Sequence, residues 1–302
     1  MLNGKYYALK IIPKNNLNTL GRLKNLINEP NILKQLNKNQ NFVPEIICSF
    51  QDYENFYLVT TFYDGPSLDK LIFMNFTENQ IKFISACIIL SLKYIRENKI
   101  IHRDLTITNI IMDEDKYFNL IDFSFSVEYS QRHSKYLKCN INKKTTPPEI
   151  LFDYKYDYNL DYYGLGCIIF FLIFKKYPWD MKKRNNITEL ILENNLIGKF
   201  SSDLYDFVEK LIIAKYEKRI GFNDIYELIN HTWFDNYNWE KLMKKEIISP
   251  FYYNKTKVNK NKCKYFIRLK KRNEIYKHFI KENYNQSLHK FDFSKNILKT
   301  DI

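Results

Sequence analysis

Cysteine and glycine are both scarce in this sequence, with 5 and 7 residues respectively among 302. The cysteines are odd in number and scattered along the chain, and no C-x-x-C pair occurs. This distribution argues against a disulfide framework and against a cysteine-ligated zinc site. We therefore expect reduced thiols and a cytoplasmic or nuclear location, where disulfides are rare.

Long hydrophobic runs are also absent. The longest one extends from Leu165 to Phe174, well short of the roughly 20 apolar residues that a transmembrane helix needs. Residues Met1–Lys5 do not have the pattern of a secretory signal peptide. We expect no transmembrane segment, and the 45% hydrophobic content is enough to build a full core.

Acidic residues are outnumbered by basic ones, and the net charge is +13. Residues 251–302 hold 14 Lys or Arg and 4 Asp or Glu, so they contribute +10, and the rest of the chain contributes only +3. The basic character is therefore concentrated in a C-terminal tail. Such a run is usually solvated, and the alternatives are contact with nucleic acid, with an acidic membrane surface or with the chain's own N-terminal part.

Two carboxylates and a carboxamide follow each other at short range. Asp104 ends the tripeptide His-Arg-Asp, Asn109 lies five residues later, and Asp122 begins Asp-Phe-Ser. Phosphoryl transfer needs a carboxylate that accepts the proton of a hydroxyl, and oxygen ligands that hold Mg²⁺ on the phosphates. We assign the base to Asp104 and the Mg²⁺ ligands to Asn109 and Asp122, because Mg²⁺ prefers hard oxygen donors.

Further motifs occur in a fixed order around these residues, and together they resemble the eukaryotic protein kinases over residues 5–235. The order and spacing of the whole set are more specific than any one motif. The motifs are Tyr7-Ala8-Leu9-Lys10, Glu29, Pro147-Pro148-Glu149, Asp161 with Gly164-Leu165-Gly166, and Arg219-Ile220-Gly221.

A finer resemblance points to the AGC group, close to the catalytic subunit of cyclic-AMP-dependent protein kinase. It is carried by residues 28–33, 200–204, 231–234 and 248–251, together with Trp239. It implies an α+β fold of two lobes and serine/threonine kinase activity. The domains expected from it are a truncated N-lobe over 1–62, a C-lobe over 63–240 and a basic tail over 241–302.

The resemblance also implies roles for individual residues, with ATP and Mg²⁺ as cofactors. A protein substrate and a regulatory subunit or upstream kinase are the partners that it implies. The expected catalytic residues are Asp104, Lys10, Glu29, Asn109 and Asp122. The expected nucleotide-binding residues are Ala8, Lys10, Thr60, Thr61, Tyr63, Asn109, Ile111 and Asp122, and the expected metal ligands are Asn109 and Asp122. Glu149 and Arg219 are expected to form a buried structural pair.

Local patterns predict the elements that carry these residues. Residues 20–36 have a helical pattern in which Pro30 predicts either a kink or a helix start. Thr77 with Gln80 predicts a capping box at the start of the next helix. Residues 110–112 and 117–121 predict a hairpin with the metal ligands at its ends.

The sequence departs from the kinase pattern at several points. Only three residues precede Gly4, so we expect the first two N-lobe strands and their glycine-rich loop to be missing. Thr106 replaces a lysine that contacts the transferred phosphate, so transition-state stabilisation should fall. Ser124 replaces the glycine of Asp-Phe-Gly, which predicts a loop that is less mobile or strained. Ser67 and Thr108 stand where the AGC group has acidic residues that bind substrate arginines.

These departures leave alternatives open. A pseudokinase that keeps the fold and binds nucleotide or partners is the second hypothesis, and a small-molecule phosphotransferase is the third. For the tail we predict a basic amphipathic helix over 263–280, which would cover the apolar surface of the N-lobe. Phe291–Ser294 has two interpretations, a diverged docking motif and a chance pair of aromatic residues in a chain that is 17% aromatic.

Overall fold

The computed structural model describes residues 6–14, 20–36, 42–129, 145–148, 150, 157–178 and 187–252. The chain divides into two compact units. Among the described residues, the first unit takes 6–36 and 44–64, and the second takes 42–43 and 65–252. The first unit is rich in strands and the second is mainly helical, which agrees with the predicted α+β class.

The first unit contains a three-stranded antiparallel sheet with the strand order β1-β3-β2 and one helix. Its elements are β1 (Tyr7–Pro13), α1 (Leu20–Gln35), β2 (Ile46–Gln51) and β3 (Asn55–Thr61).

The sequence predicts two alternatives at Pro30, a kink or a helix start. Helix α1 continues through this residue, so the helix start is wrong. An internal proline costs about 3 kcal/mol because it removes a backbone hydrogen bond and crowds the preceding turn. The residues that follow it offset this cost by burial, since Ile32, Leu33 and Leu36 are all at most 3% exposed. Packing of the last helical turns therefore outweighs the local preference of proline.

The second unit is built around two long helices, with short strands between them. Its strands are β4 (Ile100–Ile101), β5 (Ile110–Met112), β6 (Phe118–Leu120) and β7 (Val127–Glu128). Its helices are α2 (Glu78–Glu97), α3 (Asn159–Phe174), α4 (Ile187–Glu193), α5 (Ser202–Ile212), α6 (Tyr226–Ile229) and α7 (Trp239–Met243).

Helix α2 begins as its sequence predicts. The Thr77 side chain accepts the N–H of Gln80, and the Gln80 side chain accepts the N–H of Thr77, which completes the capping box. Helix α3 is buried on almost every face, and Gly166 lets it approach α5 closely. A Cβ atom at Gly166 would lie 2.7 Å from Cβ of Leu211. The core of the second unit therefore depends on a small residue at this contact.

Strands β5 and β6 form the predicted antiparallel hairpin, in which Ile110 pairs with Leu120 and Met112 with Phe118. Strands β4 and β7 form a second short ladder. After α7, residues 244–252 stay with the second unit, and Phe251 is only 3% exposed. Within the described ranges, no helix combines the length and the apolar character needed to cross a membrane.

Candidate active site

In the first unit, Lys10 on β1 is held by Glu29 on α1. Nζ of Lys10 donates to both carboxylate oxygens of Glu29, at 3.1 and 2.9 Å. The Glu29 side chain is 4% exposed and that of Lys10 is 37% exposed. Although Pro30 follows Glu29 directly, the continuing helix keeps this carboxylate within reach of the lysine. The structure therefore brings together two of the expected catalytic residues, which lie 19 residues apart in the sequence.

Ala8 and Lys10 lie on one face of the sheet, since side chains two residues apart on a strand point to the same side. Ala8 pairs with Thr60 across the β1–β3 ladder, and Tyr7 pairs with Thr61. Thr60 therefore shares the face of Ala8 and Lys10, whereas Thr61 lies on the opposite face. Tyr63 follows β3 and is half-buried. Three of the expected nucleotide-binding residues in this unit thus share one face.

In the second unit, His102 organises the loop that carries Asp104. Nε2 of His102 lies 3.2 Å from the carbonyl oxygen of Ile121, and Nδ1 accepts the N–H of Asp104 at 3.4 Å. A carbonyl can only accept, so the proton of the ring is on Nε2 and the ring is neutral. Burial lowers the pKa of His102 to about 4, which is consistent with a neutral ring at pH 7. His102 therefore has a structural role, and its ring also packs edge-on against Phe123 at 4.9 Å.

Asp104 and Asn109 are in direct contact. Nδ2 of Asn109 donates to the carbonyl oxygen and to Oδ2 of Asp104, both at 2.9 Å. Asn109 is 8% exposed, while Asp104 is half-buried. Because Nδ2 is the donor in both bonds, the amide orientation is fixed, and Oδ1 is the atom of Asn109 suited to bind a cation. The contact orients the carboxylate of Asp104 as well.

The β5–β6 hairpin brings Asn109 and Asp122 to the same end. Asn109 precedes β5 and Asp122 follows β6, and the N–H of Ile121 donates to the carbonyl oxygen of Asn109 at 2.8 Å. An amide oxygen and a carboxylate suit Mg²⁺, which usually takes one or two carboxylates and keeps several waters. The donor set therefore fits the expected metal. Ile111 lies between the buried Ile110 and Met112 and is itself only half-buried.

The backbone strain in this loop falls on Asp122 and not on Ser124. Asp122 has φ of 65° and Arg103 has φ of 67°, whereas Ser124 is not among the residues with positive φ. The N–H of Ser124 donates to Oδ1 of Asp122 at 3.3 Å. The prediction that serine strains the loop is wrong, because the chain takes its left-handed turn two residues earlier.

Asp161 supports the loop in a way that the sequence reading missed. Its two carboxylate oxygens accept the backbone N–H groups of His102, at 2.7 Å, and Arg103, at 2.9 Å. Burial raises the pKa of Asp161 to about 7, and these two hydrogen bonds oppose the rise. The available signal was a carboxylate in the first turn of a very apolar helix, because a buried acid needs hydrogen-bond donors. Asp161 therefore positions the loop that carries Asp104.

The remaining loop residues have local partners. Oγ1 of Thr106 lies 2.8 Å from Oγ1 of Thr108, and Thr106 is 5% exposed. Nε of Arg103 donates to the carbonyl oxygen of Phe125 at 2.6 Å. Thr106 thus provides a hydroxyl and no positive charge at the position where the family has lysine. Arg103 thus contacts the backbone of the chain shortly after Asp122.

Some expected features lie outside the described residues. These are Glu149, residues 130–144 of the segment before it, and the tail features at 263–280 and 291–294. Arg219, the expected partner of Glu149, is 1% exposed and donates from Nη2 to the carbonyl oxygen of Ile213 at 2.8 Å and from Nη1 to that of Asn159 at 3.3 Å. Its buried structural position agrees with the sequence reading.

The chain is similar in sequence to known protein kinases. The protein kinase domain family matches residues 1–234. A probable serine/threonine-protein kinase of Dictyostelium discoideum is 28% identical over 251 residues, which are 82% of this chain and 55% of that protein. Serine/threonine-protein kinase sgk-1 of Caenorhabditis elegans is 29% identical over 252 residues, with 82% of this chain and 54% of that protein covered.

The cAMP-dependent protein kinase catalytic subunit of Schizosaccharomyces pombe is 28% identical over 255 residues, with 82% of this chain and 49% of that protein covered. The chain spans about half the length of these curated relatives. The family match covers well over half of the chain, and the relatives agree with the motifs and their geometry. The chain therefore belongs to the protein kinase family, within its AGC group.

Proposed function

We propose that this protein is a serine/threonine protein kinase that transfers the γ-phosphate of ATP to protein hydroxyls with the help of Mg²⁺. The observation that carries the proposal is the contact of Asn109 Nδ2 with Asp104, made at the hairpin end that also bears Asp122. This contact orients a base and a metal ligand together. An arrangement kept only for packing would not require oxygen ligands and a carboxylate at one hairpin end.

Asp104 acts as the base in the proposed reaction. As the substrate hydroxyl attacks, its oxygen forms a bond to the γ-phosphorus and its proton passes to the Asp104 carboxylate. The bond from that phosphorus to the bridging oxygen breaks, and its electron pair stays on the ADP product. Asn109 restrains the carboxylate through Nδ2, so Asp104 does not have to be ordered during the reaction.

Asn109 Oδ1 and the carboxylate of Asp122 are the proposed metal ligands. Asn109 Oδ1 and Asp122 would hold Mg²⁺, which would offset the negative charge of the phosphates. Lys10, oriented by Glu29, is assigned to the phosphates, as a lysine on the corresponding strand is in protein kinases. Ala8, Thr60, Thr61, Tyr63 and Ile111 are assigned to the nucleotide, and the sheet face shared by Ala8, Lys10 and Thr60 supports this assignment.

The relatives support the proposed substrate class, since they are named as serine/threonine kinases. We propose protein substrates, a regulatory subunit or upstream kinase as partner, and action in the cytoplasm or nucleus. Contact of the basic tail with nucleic acid or an acidic membrane remains the less favoured proposal.

A pseudokinase is the second candidate function, and Thr106 is the observation that favours it. Threonine is uncharged, so this position supplies no cation for the transferred phosphate, and the Thr106 hydroxyl is paired with that of Thr108. A pseudokinase would bind nucleotide and be stabilised by it without turnover.

The test is transfer of labelled phosphate from Mg·ATP to a generic basic protein and to the chain itself. Asp104→Asn and Asp122→Ala should each lower the rate by about 100-fold or more, since they remove the base and a metal ligand. Asp115→Asn is the matched control, because Asp115 is exposed at the turn of the same hairpin. This variant should keep the parent rate.

A parent protein no more active than Asp104→Asn would overturn the kinase proposal. Thermal stabilisation by Mg·ATP in that inactive parent would then support the pseudokinase. Its absence would exclude both the kinase and a pseudokinase that binds nucleotide.

A further inference from the structure

Residues 245–251, here called the C-terminal strap, make four contacts with the turn of the β5–β6 hairpin and the first residue of β6. Each contact joins residues that lie 130 to 133 positions apart in the sequence. They are the ion pair of Lys245 Nζ with Asp113 Oδ2 at 2.6 Å, the bond from Tyr117 Oη to the Ile247 carbonyl, the bond from Ser249 Oγ to the Lys116 carbonyl at 2.9 Å, and the rings of Phe118 and Phe251 at 5.1 Å.

The ion pair is the most enclosed of these contacts. The Lys245 side chain is 22% exposed and that of Asp113 is 7% exposed. Nζ of Lys245 also lies 5.6 Å from the ring centre of Tyr117 and 5.9 Å from that of Phe42. A charge in such surroundings has little water to replace a lost partner, so removal of one partner is far more disruptive than removal of both.

Asp113 connects Lys245 to strand β6 through hydrogen bonds. Its Oδ1 accepts the N–H of Tyr117 at 2.8 Å, and its Oδ2 accepts Nδ2 of Asn119 at 3.1 Å. Asn119 is 1% exposed and pairs with Ile111 across the hairpin. Lys245 is therefore linked through one carboxylate to the turn and to the middle of the hairpin.

The opposite end of the same hairpin carries the proposed metal ligands. Each strand has only three residues, so Asn109 and Asp122 lie one short ladder away from the turn. A shift of the turn changes the pairing of Ile110 with Leu120 and hence the spacing of the residues next to them.

We propose that the Lys245–Asp113 pair, carried by the C-terminal strap, positions Asn109 and Asp122 for metal binding from the far end of the hairpin. Lys245 is a positioning residue, because it acts through Asp113 and the ladder and touches neither metal nor phosphate. The inference rests on the proposed function, since the position of Asn109 and Asp122 matters for catalysis only if they hold the metal. The competing interpretation is that the pair only anchors the strap.

The test uses the full chain and a readout that does not need catalysis. Deuterium uptake is measured for peptides that contain residues 113–119 and residues 121–124, without nucleotide. The variants are Lys245→Met, Lys245→Arg and the double variant Lys245→Met/Asp113→Asn. The double variant removes both charges of the pair, so it can still be measured if the buried unpaired Asp113 prevents Lys245→Met from folding. Lys244→Met is the matched control, because Lys244 is exposed beside Lys245.

Lys245→Met and the double variant should exchange about tenfold faster at residues 121–124, because local opening of the metal end becomes easier. Lys245→Arg should restore the parent rate, and Lys244→Met should equal it. Faster exchange confined to residues 113–119 would overturn the proposal and leave the pair as an anchor of the strap.

Phosphate transfer is the second readout. Lys245→Met should raise the Mg²⁺ concentration for half-maximal rate by about tenfold, with the KM for the protein substrate unchanged. An unchanged Mg²⁺ requirement in an active variant would contradict the inference. If the parent itself transfers no phosphate, the proposed function fails, and the exchange data still decide whether the strap positions the hairpin.

Discussion

Asp122 has a left-handed backbone conformation, which glycine adopts more easily than other residues. Its φ of 65° lies in the left-handed region, where a side chain costs about 1–2 kcal/mol. The sequence predicts strain at Ser124, because serine replaces a glycine there. The sequence alone does not show which residue of the loop has a positive φ. The structure shows that Ser124 donates its N–H to Asp122 Oδ1. Serine at position 124 is therefore compatible with the loop.

Thr106 allows a prediction at the scale of a single residue. Thr106→Lys should raise kcat about tenfold over Thr106→Met, because a cation near the transferred phosphate stabilises its charge in the transition state. Thr106→Met is the control, because methionine has a long side chain without charge. A lysine can be accommodated at this buried position, since its stem can be buried while its ammonium group extends toward water. The measurement is the phosphate-transfer rate at saturating Mg·ATP. Equal rates for the two variants would show that charge at this position does not limit the reaction.

The elements that sequence predicted best are those set by neighbours within a few residues. The capping box of Thr77 and Gln80 and the β5–β6 hairpin follow from local patterns, and both are present. Pro30 shows the limit of this reasoning, since the helix continues through it when packing compensates. The bonds of Asp161 to the loop and of Lys245 to Asp113 join distant residues. Spacing and periodicity contain no information on such pairs.

The contact of α3 with α5 gives a prediction at the scale of an element. Gly166→Ala should gain about 1 kcal/mol of helix propensity, but its Cβ would lie 2.7 Å from Cβ of Leu211 and 2.8 Å from Cγ2 of Ile212. Overpacking of a rigid core costs about 1–3 kcal/mol, so we expect a net loss in the free energy of unfolding.

Gly164→Ala is the matched comparison in the same helix. Its Cβ would meet Cβ of Leu105 at 3.2 Å, a milder contact. Urea unfolding of both variants should show the larger loss for Gly166→Ala. If Gly166→Ala were the more stable of the two, the close approach of α3 and α5 would not constrain the fold.

In the molecule as a whole, most of the excess positive charge and the candidate active-site residues lie in different parts of the chain. Residues 1–250 carry a net charge of only +3, while residues 251–302 carry +10. All the residues assigned to phosphate transfer lie in the nearly neutral part. The basic isoelectric point of about 9.2 therefore describes the tail and carries no information about the candidate active site.

The dependence of overall stability on pH gives the last prediction, through His102. Its pKa is about 4 in the folded protein because the ring is buried, against an ordinary value of 6.5. Between these pH values the unfolded chain binds more protons, so the free energy of unfolding falls on acidification, by about 3 kcal/mol in all. Asp161 acts in the opposite sense. Burial raises its pKa to about 7, so acidification toward pH 4 protonates the folded state first and stabilises it.

His102 and Asp161 have opposite effects on the pH dependence of stability. The contribution of His102 alone is therefore the difference in the free energy of unfolding between the parent and His102→Phe. Urea unfolding of both proteins from pH 7.5 to pH 4 should show that the parent loses about 3 kcal/mol more than the variant. His231→Phe is the comparison, since burial also lowers the pKa of His231 but the Asp206 carboxylate at 2.9 Å opposes the shift. The difference for His231→Phe should therefore be smaller. A parent-minus-His102→Phe difference that does not change with pH would mean that the pKa of His102 is the same in the folded and unfolded protein, and the lowering of this pKa by burial would be excluded.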